Sequence, residues 1–137
     1  MDTEMLRHSA SHILAQAVKK LFPDAKLGIG PAIEGGFYYD FGKKTPFTPE
    51  DLAKIEKSMQ HIVKQNLKFE KMEVEFTEAK KMLKDEPYKL ELLEELKAKG
   101  EKITFYKQGD FIDMCRGPHV PSTGKVGALK LTKMSSA

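Results

Sequence analysis

The sequence predicts a single two-layer α+β domain, with helices packed on a mostly antiparallel sheet. Three observations predict it. Long apolar stripes at three- and four-residue spacing mark helices near the start and in the middle of the chain. Short alternating or aromatic runs mark strands, and half of these gather in the last third. Helices and strands therefore segregate partly instead of alternating regularly, which disfavours a parallel sheet. A length of 137 residues suits one domain with its own core.

Each element has its own reason. Residues 3–22 read as a helix, with Thr3 as N-cap and Leu6, Ala10, Ile13, Leu14, Ala17, Val18 and Leu21 as the buried stripe. Pro23 and Asp24 follow its end. Gly28, Gly30, Pro31, Gly35 and Gly36 punctuate the next stretch, and Phe37-Tyr38-Tyr39-Asp40-Phe41 has aromatic strand character. This reads as two short strands with a turn at Glu34–Gly36. GIGP lacks the further glycines or the Gly-Lys-Thr of a phosphate loop.

Thr48-Pro49-Glu50-Asp51 starts a second helix, with Thr48 as N-cap and Pro49 in the first turn, running to about residue 66. Residues 69–76 read as a strand with Phe69, Met72, Val74 and Phe76 inward; the period slips between Phe69 and Met72. Thr77-Glu78-Ala79 opens a short helix to about Lys84, Pro87 interrupts, and residues 89–99 form another helix with Gly100 beyond its end. ITFYKQG and FIDMC read as two strands, CRGPH as a turn, PSTGKVG as a loop with little core content, and ALKLTKM as a last strand.

Composition narrows the classes. Hydrophobic residues make up 40% and charged residues 31%, with a net charge of +3. That charge permits a nucleic-acid partner without demanding one, because the lysines fall beside glutamates as on a solvated helix surface. One cysteine allows no intrachain disulfide and fits a reducing compartment. No apolar run approaches the roughly 20 residues of a membrane span, and the N-terminus is unlike a secretory signal. A cytoplasmic protein without a membrane partner is expected.

Chemistry concentrates in two split pairs, HSASH and CRGPH, which hold His8, His12, Cys115 and His119. His8 and His12 are four residues apart, so a helix presents both on one face. These four side chains are of the kinds zinc takes, and a His-rich set more often leaves a position for water than a Cys-rich one. A bound metal would polarise a carbonyl and acidify a water. Without one, a histidine could serve as general base. Either occupant fits the spacing. His61 stands apart in mid-helix and reads as a surface residue. Asp113, two residues before Cys115 on a strand, would share its sheet face. Lys89 sits just after the Pro87 break, at a helix start that disfavours a cation.

At this point the residues spell a family. RHSASHILAQAVKKLFPDAKLGIGPAIEGGFYYDF and DMCRGPHVPSTGKVGALKL resemble the N-terminal editing domain of threonyl-tRNA synthetase, its second additional domain, over nearly the whole chain. CRGPHVP and GFYYDF favour that branch over the alanyl one, which carries a CxxxH of another kind, closer to CGGTH. The resemblance implies the two-layer fold and hydrolysis of the ester in seryl-tRNA(Thr), a charging error. It implies catalytic roles for His8, Lys89, Asp113, Cys115 and His119, and substrate contacts for Tyr39 and His12. The editing reaction then requires no cofactor, although His8, His12, Cys115 and His119 could hold zinc. ATP would belong only to the aminoacylation domain, which nothing here resembles. The expected partners are the seryl end of tRNA(Thr) and the rest of a longer synthetase chain, of which residues 1–137 would be one domain.

Two rival readings stand beside this one. The chain could be a non-catalytic zinc-stabilised RNA-binding module, which a chelator should unfold. It could also be an alanyl-type deacylase acting in trans on mischarged tRNA(Ala), against which the CRGP spelling argues.

Overall fold

The computed structural model describes residues 3–28, 32–33, 36–37, 41–42 and 47–127. Helix α1 spans Thr3–Leu21. Four two-residue strands follow: β1 (Lys26–Leu27), β2 (Ala32–Ile33), β3 (Gly36–Phe37) and β4 (Phe41–Gly42). Helix α2 is Pro49–Gln65, β5 is Glu70–Glu73, α3 is Phe76–Met82 and α4 is Pro87–Ala98. Strands β6 (Thr104–Gln108) and β7 (Phe111–Met114) precede a 3-10 turn at Thr123–Val126. The α+β class expected from the sequence is the class observed. Tyr39 and the expected last strand, ALKLTKM, lie outside the described residues.

Two antiparallel pairs, β1 with β4 and β2 with β3, build the small hairpin region. The main sheet has the order β5-β6-β7, antiparallel throughout. Gly109 and Asp110 join β6 to β7, with Gln108 paired to Phe111 across the turn. Gly109 has φ +60°, so the first turn position demands the left-handed region that glycine reaches at no steric cost.

Alternation along β6 and β7 sorts their side chains onto two faces. Met72, Phe105 and Met114 lie opposite one another across the three strands. They meet Ala79, Leu83 and Leu93 of the α3–α4 region in one core cluster. Burying a side chain such as Phe105 or Leu93 stabilises by about 1.5–3 kcal/mol. The intervening residues Tyr106, Gln108, Phe111 and Asp113 face α1 instead. A second cluster joins α1 to α2 through Ile13, Ala17, Val18, Ile55, Met59 and Ile62. Helix α1 is therefore enclosed on several sides: Ser9, Ser11 and His12 are as buried as its apolar stripe, while Leu21 is exposed.

Local chemistry explains the helix starts. In α2, Asp51 N–H donates to Thr48 Oγ1 (3.1 Å) and Thr48 N–H donates to Asp51 Oδ2 (2.9 Å), a reciprocal cap. Asn66 ends the helix at φ 51°. In α4, Pro87 occupies the first turn, where a missing N–H costs nothing. The helix thus begins two residues before the expected 89, and Lys89 lies inside its first turn.

Two expectations need correction. The strand expected over 69–76 stops at Glu73, and Phe76 opens α3 while still packing into the apolar cluster. The segment expected as a loop with little core content is anchored. Thr123 is fully buried; its Oγ1 donates to Ile62 O (2.8 Å) and itself accepts from Leu67 N–H (2.8 Å). A threonine hydroxyl can bridge a helix end and a strand start in this way, and hydrophobic patterning does not register it.

Candidate functional site

The site lies where the middle of α1 meets the sheet face of β6 and β7 and the turn after β7. Helical spacing brings His8 and His12 to that place, with Ser9 between them in sequence. Asp113 is held on β7, and Lys89 reaches that strand from α4.

Cys115 is the centre of one group. Its Sγ lies 3.3 Å from His8 Nε2 and 3.3 Å from His119 Nε2, and it accepts from Gly117 N–H (3.4 Å). The thiol has one proton for two imidazole nitrogens, so at least one ring must present its own N–H to sulfur. Burial pushes the thiol up to about 11, with the Asp113 carboxylate pushing the same way against Gly117 N–H and Lys89.

His119 is packed among rings. Phe69 stacks on it at 4.8 Å, Tyr106 meets it edge-on at 4.5 Å, and His8 and His12 lie at 4.6 and 4.7 Å. Desolvation first, then the neighbouring imidazoles His12 and His8, lower its pKa to about 2. The ring is neutral at physiological pH. Its Nδ1 shares a 3.0 Å hydrogen bond with Ser9 Oγ, which also accepts from Val120 N–H (3.0 Å). Tyr106 is raised as well, by burial and then by Cys115.

The turn carrying Cys115 and His119 is shaped by Gly117. Its φ is +75°, and a Cβ there would lie 2.7 Å from two Tyr106 ring carbons. Only glycine allows the turn to pass so close to the tyrosine.

Asp113 and Lys89 form a second group. Lys89 Nζ lies 3.3 Å from Asp113 Oδ2 and donates to Met114 O (3.4 Å). Both side chains are almost fully buried, at 6% and 1% exposure. Burying such a pair is worthwhile only when each charge is held by the other and by hydrogen bonds. His12 belongs to this group. Its Nε2 approaches Asp113 Oδ2 at 3.5 Å, while its Nδ1 is 2.6 Å from Gln108 Oε1.

The structure thus divides the expected residues. His8, Cys115 and His119 converge, with their ligand atoms all within 4.8 Å of one another. His12 turns away to Gln108 and Asp113. In a tetrahedral zinc site with bonds of about 2.0–2.3 Å, ligand atoms sit about 3.3–3.6 Å apart. The two distances from Cys115 Sγ match that spacing, so these three residues could hold a metal ion. Tyr39 lies outside the described residues.

Sequence reasoning missed Ser9, Phe69, Tyr106 and Gln108. Two of them had a signal. Tyr106 and Gln108 are two apart on a strand, and pairing in the hairpin sets Tyr106 opposite Asp113. Ser9 and Phe69 had none, because their contacts with His119 join elements distant in sequence.

The chain is similar to known proteins. Residues 103–137 match the family described as the threonyl and alanyl tRNA synthetase second additional domain. The chain is 60% identical over 134 residues to a threonine–tRNA ligase of Clostridium tetani, covering 96% of the chain and 21% of that protein. It is 57% identical over 133 residues to one from Acetivibrio thermocellus, covering 96% and 21%. A third, from Caldanaerobacter subterraneus, is 56% identical over 132 residues, covering 95% and 20%. The chain spans about a fifth of the length of these curated relatives. Residues 103–137 are thus similar to the threonyl and alanyl tRNA synthetase second additional domain, and nearly the whole chain is similar to one part of threonine–tRNA ligases.

Proposed function

We propose that this domain hydrolyses the ester of seryl-tRNA(Thr), removing serine charged in error by a threonine–tRNA ligase of which the chain is one part. The observation that carries the reading is the convergence of two unlike polar groups at one place: an imidazole–thiol cluster and a buried lysine–aspartate pair. Ester hydrolysis needs a group to take a proton from water and a positive field for the carbonyl oxygen.

The roles follow from the environments. His119, at about 2, is too weak a base to accept a proton at neutral pH. Cys115, at about 11, stays a thiol and is no nucleophile there. His8, half-buried at the edge of the cluster, is left to orient the water and take its proton. The water oxygen bonds to the ester carbonyl carbon, and the field of Lys89 favours the resulting oxyanion. Collapse breaks the bond to the terminal ribose oxygen, which recovers the proton from His8. Tyr39 is assigned to the terminal adenosine.

A need for such a site has a physical basis. Serine lacks one methyl of threonine, and a methyl is worth only about 1–3 kcal/mol of discrimination. A second site can admit serine and reject threonine by size. Surrounding lysines would meet tRNA phosphates, so binding should weaken as salt rises. The partners proposed are the seryl 3′ end of tRNA(Thr) and the rest of the synthetase, in the cytoplasm. Among the described residues no helix is long and apolar enough to cross a membrane.

A metal held by His8, Cys115 and His119 would act as a Lewis acid on the carbonyl. That geometry also favours the second reading, a zinc-stabilised RNA-binding module without catalysis. One experiment separates them: deacylation of seryl- and threonyl-tRNA(Thr), with and without chelator. Hydrolysis of the seryl ester alone, lost in His8→Ala, supports editing. Equal hydrolysis of both esters, or unchanged rates in His8→Ala, overturns it. Unfolding on chelation without hydrolysis favours the module.

A further inference from the structure

Gln108 is fully buried, and the proposed chemistry does not use it. A buried primary amide is costly unless its donors and acceptor are all satisfied. Here they are, and the way they are satisfied constrains a histidine. Gln108 Nε2 donates to His12 O (3.3 Å) and to Gln16 Oε1 (3.0 Å). His12 O is a backbone carbonyl and can only accept. Gln16 is itself oriented, because its Nε2 donates to Gln108 O (3.4 Å). Flipping the Gln108 amide would set its oxygen against two other oxygens. The orientation is therefore fixed by the network.

The remaining Gln108 atom, Oε1, lies 2.6 Å from His12 Nδ1. An amide oxygen has no proton to give, so the proton between them belongs to Nδ1. The other ring nitrogen, Nε2, then faces Asp113 Oδ2 at 3.5 Å. Asp113 in turn holds Lys89 at 3.3 Å.

We propose that Gln108 is a positioning residue that keeps a proton on His12 Nδ1 and so holds the ring with Nε2 toward Asp113, apart from the His8–Cys115–His119 group. Two imidazoles four residues apart on one helix are thereby given different work. His8 turns to the thiol, and His12 turns to the charge pair. Gln16, one turn beyond His12 on α1, closes the network by holding the Gln108 amide. The lock is a property of the fold. Only its effect on rate rests on the proposed hydrolysis.

The test uses the whole chain labelled with nitrogen-15 and kept metal-free with chelator. Long-range proton–nitrogen correlations of the His12 ring are recorded about two pH units above the ordinary histidine range of ~6.5. Nδ1 is expected to give a protonated, pyrrole-type signal. In Gln108→Leu it should become the bare, pyridine-type nitrogen, because the ring proton moves to Nε2, where Asp113 accepts it. Gln108→Glu retains an oxygen acceptor for Nδ1 while losing the amide donors. It should keep the parental signal even if the fold is weakened. In deacylation of seryl-tRNA(Thr), kcat should fall roughly 10- to 100-fold in Gln108→Leu and recover in Gln108→Glu, with KM unchanged. A bare Nδ1 in the parent chain overturns the proposal outright, whether or not any variant folds. An unchanged signal in a folded Gln108→Leu also overturns it. Expected signals in a parent chain that fails to deacylate would instead overturn the proposed function and leave the lock standing.

Discussion

Acid should destabilise this domain through His119, in a pH range above that of ordinary carboxylates. The folded ring is held at about 2, against about 6.5 for an unfolded histidine. Between these values the unfolded chain binds a proton that the folded chain refuses, so stability falls as pH falls. From about pH 7 to about pH 5 the unfolded ring goes from mostly neutral to almost fully charged. The folded ring stays neutral throughout. The difference amounts to about 2 kcal/mol, a large share of the roughly 5–15 kcal/mol expected of a domain. Ordinary carboxylates titrate below this window. The assay is urea unfolding of the parent and of His119→Asn at both pH values. Asparagine removes the titration while keeping a polar group near Ser9. The parent should lose about 2 kcal/mol more than the variant over the same interval. Equal losses would refute the reasoning, because the rings around His119 could then not be what keeps it neutral.

Two further outcomes follow from the same packing. Lys89→Met leaves Asp113 as a buried charge without its lysine and should cost about 3–5 kcal/mol in chemical unfolding. Lys89→Met combined with Asp113→Leu should cost less than the single change; a larger, additive loss would show that the two are not coupled. Gly117→Ala places a left-handed residue against Tyr106 and should lower the melting temperature by more than the about 1–2 kcal/mol of backbone strain alone accounts for. In a Tyr106→Leu background the excess should shrink, and an undiminished excess would locate the clash elsewhere.

Much of the fold was legible in the residues. The cap at Thr48 and Asp51, the stop at Pro23, Gly100 beyond α4 and the β6–β7 hairpin each depend on neighbours within a few positions. Errors arose where a local pattern met a tertiary contact. Phe76 continues the alternation of β5, yet it enters a helix because that still carries its ring into the apolar cluster. Thr123 reads as loop chemistry, but its hydroxyl is the bridge between Ile62 and Leu67.

The candidate site divides along the same line. By itself the sequence determined the kinds of side chain present and their local spacing: two imidazoles on one helix face, and a thiol and an imidazole across a glycine-proline turn. Those facts follow from helix period and turn chemistry, which are short-range. What His8 and His12 each face could not be read there, because HxxxH treats them alike. Only the tertiary structure separated them, by bringing Cys115 to His8 and Gln108 and Asp113 to His12 across about a hundred residues of chain. The protonation of His119 was decided in the same way. A histidine is neutral or charged according to the rings and charges packed around it, and those come from elements that touch only once the chain has folded.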